Sequence, residues 1–364
     1  MNILFFQNCV SPHQMPFIQY LPYCKGIEDV IIIVPEKDLE EREKMGWNSS
    51  LLLHTPNIKF LISPSILEIQ NLYHKYNNSN TWCMYSGINA FPFVSACFKE
   101  SLKYNIKRGI ITEPPFIYNH PIWQHAIRFA IKDLRYTKYI DKIFIMGDNF
   151  LNYYRFWSNR WKVIPFMYCT TWYERKSLSP TTNKNKLKIL YVGSLSHRKN
   201  VQLLLNAVCR LKEEQQTCLH IGIIGDGEEK QKLATIAASN KNIDVTFYGT
   251  KPMNVIPTIM EQYDILCLPS LYDGWGAVVN EALTLGLYVI CSTSCGSKFL
   301  ITQSHNLCGN LFKNKDINSL CKVLKECIRT KDEIQQNIRK RIEWAKNNIH
   351  GEVVAQYFID QLKS

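Results

Sequence analysis

No stretch of this sequence holds the ~18 consecutive apolar residues that a membrane-crossing helix needs, so no span is expected. The N-terminus lacks the basic start and the apolar core of ~7–15 residues that mark a secretory leader. Its short apolar run at 3–6 is soon followed by Pro12 and Pro16. The expectation is a protein made and kept in the cytoplasm. No two of the thirteen cysteines form a C-x-x-C pair, and their number is odd. The ligand spacing of a zinc site is therefore missing. Most cysteines lie in apolar stretches, as at Cys97, Cys267 and Cys291, and read as reduced, buried, small side chains. There is no Asp-x-Asp pair to hold a divalent cation, and no Walker A loop.

What is present suits a folded α/β protein. Apolar residues make up 46% of the chain and charged residues 20%, which excludes disorder. At 364 residues the chain exceeds the ~250–300 that one core supports, so two domains are expected. The net charge of +12 is uneven. Residues 99–188 hold 17 Lys and Arg against 6 Asp and Glu; the remainder holds 26 against 25. A basic region rich in aromatics suits an anionic lipid surface, a phosphorylated acceptor or nucleic acid. The plainer alternative is a lysine-rich solvated surface. Nucleic acid has only charge in its favour, with no supporting motif, and is not expected as a partner.

Short β-like runs alternate with helix-length segments in the first half. Strands are expected at 3–6, 30–34, 59–62, 81–85, 109–112 and 142–145, with helices at 91–104 and 121–136 among those between. The segment 116–129 reads as an amphipathic face, either toward a membrane or packed on its own sheet. Around 179–187 the chain turns polar and aperiodic, as a linker does. The alternation then restarts, with strands at 188–192, 219–224, 244–248, 265–268 and 288–290 and a helical tail from Asp316. The pattern implies parallel sheets built from βαβ units. An acceptor domain at 1–178, a linker at 179–187, a donor domain at 188–345 and a C-terminal helix at 346–364, free to pack back on the first domain, complete the expected layout. Ligands of such sheets bind beyond the carboxyl ends of the strands, and a cleft between two domains lets two substrates meet.

Three segments carry the chemistry. In Leu268-Pro269-Ser270-Leu271-Tyr272-Asp273-Gly274-Trp275-Gly276-Ala277-Val278-Val279-Asn280-Glu281, a buried strand runs into an acid, two glycines and a helix bearing a second acid. Gly274 and Gly276 let backbone approach a ligand closely. A helix starting near Gly276 would offer free N–H groups to a diphosphate. Asp273 and Glu281, eight apart, suit sugar and ribose hydroxyls as hydrogen-bond acceptors. Trp275 reads either as a pocket wall or as a core aromatic. The second segment, Val192-Gly193-Ser194-Leu195-Ser196-His197-Arg198-Lys199-Asn200, sets Arg198 and Lys199 where a helix starts, either to neutralise phosphate oxygens or as the basic residues common at a helix start. The third, Gly222-Ile223-Ile224-Gly225-Asp226-Gly227, resembles a fragment of the dinucleotide fingerprint, but Lys230 stands where its last glycine belongs. A tight turn is expected there.

Together these segments resemble glycosyltransferase family 4, of the two-domain GT-B fold, over roughly residues 187–300. The resemblance implies two Rossmann-like domains with parallel sheets facing a central cleft. It matches Lys199 to a lysine on the donor diphosphate, Glu281 to a glutamate on the nucleotide ribose, and Asp273 to an acid near the donor sugar. Gly193, Arg198 and the backbone of Gly274, Trp275 and Gly276 would border the diphosphate and sugar. Ser194 stands where the family usually has Arg, and Asp273 replaces the usual Glu. In the first half Glu113 occupies the place of a common histidine. His13, Glu113 and His120 are the first-half candidates for contact with acceptor or donor sugar; otherwise they are capping or surface polar residues.

The resemblance further implies a retaining transferase, with Lys199, Asp273, Glu281 and Glu113 as its catalytic set, that needs no metal and no cofactor beyond a UDP- or GDP-linked sugar. Its acceptor would be a glycan or a lipid-linked glycan of surface polysaccharide, handled in the cytoplasm or at the inner face of the membrane. A sugar-nucleotide epimerase or phosphorylase on the same fold, and a non-catalytic binding protein, remain as alternatives.

Overall fold

The computed structural model describes residues 1–36, 49–157, 160–176 and 186–364. The chain forms two compact units, Met1–Thr171 with Ile349–Ser364, and Trp172–Asn348. The linker expected at 179–187 lies, up to residue 185, outside the described residues.

The first unit is built on seven parallel strands: β1 (Asn2–Phe6), β2 (Asp29–Val34), β3 (Lys59–Ile62), β4 (Thr81–Tyr85), β5 (Lys107–Thr112), β6 (Lys142–Met146) and β7 (Lys162–Phe166). Their order in the sheet is β3-β2-β1-β4-β5-β6-β7. Ile3 pairs with Val30 on one side and Trp82 on the other. The central strands β1 and β4 are buried throughout, since helices cover both faces of a parallel sheet and leave no wet side for alternation. One helix shows how local sequence sets an element: Ser65 and Glu68 close a reciprocal capping box at the start of Ile66–Lys75.

The helix Gly351–Lys363 belongs to this unit although it follows the other in sequence. Phe358 lies among Phe5, Phe17, Phe144 and Phe166. The Lys142 ammonium donates to the Gln361 carbonyl at the helix end. A side chain at Gly351 would overlap the Pro16 carbonyl, so only glycine allows this approach.

The second unit carries six parallel strands: β8 (Leu187–Val192), β9 (Leu219–Ile224), β10 (Val245–Gly249), β11 (Ile265–Leu268), β12 (Tyr288–Ser292) and β13 (Gly309–Phe312). Their order is β10-β9-β8-β11-β12-β13. Both sheets start in the middle, grow to one edge, then return past the first strand to grow the other way. That is the doubly wound arrangement, with its switch point between β1 and β4 and between β8 and β11. None of the thirteen cysteines is disulfide-bonded, and ten are buried.

Two strands escaped the sequence reading, and both are sheet edges. β7 includes Pro165, which an edge strand tolerates because one side of its ladder needs no donor. β13 is four residues long and starts on glycine.

Candidate functional site

In the second unit the chemistry gathers at the carboxyl ends of β8, β11 and β12, around the switch point. The loop after β8 turns through Gly193, whose φ of 151° is glycine territory. The Gly193 amide donates to the Ile224 carbonyl at 3.0 Å, and a Cβ on Gly225 would overlap the Gly193 carbonyl. Its amide is thereby spent on the end of β9, so Gly193 can border a ligand with its backbone but does not donate that N–H to it. A short 3₁₀ turn, His197–Lys199, follows, and Asn200 in left-handed conformation starts the helix Val201–Cys209.

That turn delivers two cations to the loop after β11. Lys199 Nζ lies 2.5 Å from Asp273 Oδ2. Arg198 Nη1 donates to the Tyr272 carbonyl at 2.9 Å and stands 4.0 Å from Asp273 Oδ2. The Leu271 amide returns a bond to the Arg198 carbonyl at 2.8 Å. The loop after β12 braces the other side: Gly296 donates to the Asp273 carbonyl at 3.0 Å and Ser297 to that of Trp275 at 2.9 Å. Asp273 is thus held by two other loops, those after β8 and β12.

Beyond Asp273 the backbone is left with donors to spare. The amides of Gly274, Gly276, Ala277 and Val278 make no hydrogen bond among the described residues. Those of Gly276, Ala277 and Val278 belong to half-buried residues in succession. The helix itself starts at Val278, two residues later than expected, because Gly276 takes a φ of 93° that no helix permits. Of the two readings of the Trp275 side chain, the structure favours the core aromatic. It is 2% exposed, and its indole N–H donates to Asn280 Oδ1 at 2.7 Å.

Glu281 sits in the first turn of that helix. Its carboxylate makes no hydrogen bond or ion pair among the described residues, and loss of water around it pushes its pKa up to about 7. Tyr173, which the sequence reading passed over, is close enough that burial first, and the Glu281 charge second, raise its phenol. No local motif marks Tyr173; only the fold brings it there.

The other candidates belong to the first unit. A cavity of about 530 Å³ opens where the loops leave β1, β4 and β5, lined by Gln7, His13, Ser86, Glu113, His125 and Arg128 among others. Glu113 is exposed and accepts from the Tyr168 hydroxyl at 3.0 Å. The His13 ring stands 5.8 Å from that of Tyr168. His120 is exposed and outside the lining, its ring 6.2 Å from that of His125, which lines the cavity and is bonded to the Phe116 carbonyl at 3.0 Å. The clue to His125 in sequence is the helical spacing to Arg128 and Phe129. Asp133 also lines the cavity; burial raises its pKa against the pull of Asn89 and the neighbouring cations. Among the described residues no group of three or more His, Cys, Asp or Glu is arranged to hold a metal ion.

Comparison with known proteins fits this geometry. Residues 174–345 match the family model "Glycosyl transferases group 1", a span inside the second unit. The chain is 32% identical over 145 residues to the amylovoran biosynthesis glycosyltransferase AmsK of Erwinia amylovora, covering 38% of this chain and 35% of that one. It is 27% identical over 169 residues to an α-1,4-N-acetyl-D-galactosaminyltransferase of Campylobacter jejuni that acts on an undecaprenol-diphosphate-linked glycan. That match covers 46% of this chain and 45% of the relative. The matched segments therefore span less than half the length of these curated relatives. Among solved structures, HepE of Anabaena in complex with UDP superposes with a TM-score of 0.69 at 14% identity, covering 100% of both chains. The apo lipopolysaccharide outer core galactosyltransferase WaaB gives 0.67 at 17% identity, covering 100% of this chain and 99% of that one. The chain thus has the GT-B fold of two Rossmann-like units, and its second unit is similar to the group 1 glycosyl transferases.

Proposed function

We propose that this chain is a retaining glycosyltransferase of the family 4 type, which moves a sugar from a nucleotide-diphosphate-sugar to a glycan or lipid-linked acceptor of surface polysaccharide. One observation carries the reading: successive unpaired amides at 276–278 lie beside a Lys199–Asp273 pair and a partnerless carboxylate at Glu281. The amides and Lys199 suit a diphosphate, with Arg198 adding charge behind them. Glu281 suits the vicinal hydroxyls of a ribose. Asp273 suits the sugar end of such a donor; Glu113 and His13, in the cavity of the first unit, are the candidates for acceptor contact. The names of the relatives and the UDP complexes of HepE support the same reading.

In the reaction the bond from the anomeric carbon to the donor phosphate breaks, and a bond to the acceptor oxygen forms on the same face. The departing diphosphate takes the acceptor's proton. Lys199 and the amides stabilise the charge that grows on that diphosphate, in place of a metal ion. The enzyme works in the cytoplasm, at the membrane's inner face.

The test is a thermal-shift panel of UDP, GDP, ADP and their sugars, followed by transfer assays with the stabilising donor. A ligand at 100 times its Kd stabilises the native state by about 2.7 kcal/mol. No stabilisation by any nucleotide, with the protein folded, overturns the reading. Donor isomerised or split to the free sugar with no acceptor present favours the epimerase alternative.

A further inference from the structure

The helix Ile122–Lys132 of the first unit has two working sides. Toward the protein it buries Phe129 and contributes His125 and Arg128 to the cavity lining. Away from the protein, Trp123, Ile127 and Ile131 are 57%, 52% and 72% exposed. Four-residue spacing puts these three on one stripe of the helix. Phe156, 80% exposed, lies on the neighbouring helix Leu151–Trp157, which packs against Phe129 through Tyr153 and Trp157. Bulky apolar side chains are rarely left to water in such a group without a partner. Exposed cations follow immediately: Lys132, Arg135 and Lys138. The nearby acid, Asp133, is turned inward onto Asn89.

We infer that this helix is a membrane-docking element that seats the first unit on an anionic bilayer and brings a lipid-linked acceptor to the cavity behind it. An apolar stripe with a Trp, bordered by Lys and Arg, matches the acyl and headgroup layers of such a surface together. The segment 99–188 carries the chain's charge excess, which suits the negative potential of anionic lipid. No helix among the described residues is long and apolar enough to cross a membrane, so attachment is to the surface. Because Arg128 and His125 line the cavity from the same helix, an acceptor's phosphate would meet the Arg128 guanidinium and the His125 ring one turn from the bilayer. This rests on the transferase reading for the acceptor, but the docking surface stands on its own residues.

The experiment is co-sedimentation of the full chain with vesicles of phosphatidylcholine alone or with phosphatidylglycerol, in rising salt and without nucleotide. Binding is expected only with phosphatidylglycerol, and salt should weaken it. Replacing Lys132, Arg135 and Lys138 by Gln should lower the partition coefficient on the order of 100-fold, at about fivefold per charge. W123S with I131S should abolish binding, and transfer to lipid-linked but not to water-soluble acceptor should fall with it. Circular dichroism and nucleotide-induced thermal shift confirm that each variant is folded. Absent binding, or binding indifferent to both variant sets, overturns docking. So does self-association of the wild-type chain that W123S with I131S removes while vesicles stay unbound, since it assigns the face to a second copy. Vesicle binding with no nucleotide response would instead leave docking standing and sink the transferase reading.

Discussion

Lys199 Nζ and Asp273 Oδ2 are 2.5 Å apart, with side chains only 16% and 13% exposed. The pair joins the loop after β8 to the loop after β11, so it organises the site as well as charging it. Removing one partner of a fully buried pair costs about 3–5 kcal/mol, and some solvent here should bring that to about half. The two residues part company in function. Lys199→Ala should remove most nucleotide affinity. Asp273→Asn frees Lys199 for phosphate, so affinity should hold or rise while turnover falls about 100-fold or more. Isothermal titration and turnover measured on both variants check this; equal loss of affinity in the two would mean the pair is only structural.

Trp275 and Asn280 form a second pair, in the core. Asn280→Ala leaves the buried indole N–H without its acceptor, at about 1–3 kcal/mol. Trp275→Phe should likewise lower stability in urea unfolding while changing donor KM less than threefold. A KM change with unaltered stability would restore the indole as a pocket wall.

The sheet was legible because a parallel strand covered on both faces is written as a continuous apolar run, as in Ile31–Val34 of β2 or Cys83–Tyr85 of β4. The edge strands β7 and β13 were not, since half-paired strands tolerate Pro165 and Gly309. The acid and cation positions could be picked out because Asp273 and Glu281 share one strand–turn–helix stretch and Lys199 stands in another, between β8 and its following helix. What those side chains do to one another was hidden. The Arg198–Tyr272 and Asp273–Gly296 bonds join loops distant in sequence, and no local pattern announces them. Glycine-rich turns after strands gave a clue in the second unit; Ser86-Gly87 after β4 is the same clue in the first, and it passed unread.

Activity should survive a chelator. The cations near the unpaired amides at 276–278 are Lys199 and Arg198, both held in place by the protein itself. Transfer in EDTA is expected within twofold of the untreated rate. Complete loss that Mg²⁺ or Mn²⁺ restores would contradict the assignment of leaving-group stabilisation to these side chains.

Gly276 should tolerate no side chain. At φ 93° a Cβ is strained, and it would stand 2.6 Å from Leu268 Cδ2. Gly276→Ala should destabilise the protein by about 1–3 kcal/mol and shift the amides that follow. Unfolding curves and nucleotide titration should both register it. An unchanged Kd would show that these amides do not hold the donor.

Glu281 makes the site sensitive to pH near neutrality. Its pKa is raised to about 7 in the folded chain, above the ordinary carboxylate value near 4.5. Between those two values the folded state holds more protons than the unfolded one, so stability falls as pH rises from about 4.5 to 7. Above 7 the carboxylate is charged in both states and the destabilisation is complete. Glu281→Gln should therefore raise the Tm at pH 8, have little effect at pH 4.5, and flatten the wild-type decline between them. Binding runs the other way. Ribose hydroxyls donate to the ionised carboxylate, so a bound donor favours loss of the proton. Nucleotide-sugar affinity should strengthen from pH 5.5 to 8 and level off beyond about 7. Nucleotide sugars, whose phosphates do not titrate in that range, are the proper probe. In Glu281→Gln affinity should be weaker and independent of pH. If the variant binds as the wild type does at pH 8, Glu281 does not hold the ribose; if its affinity still rises with pH, another group carries the proton.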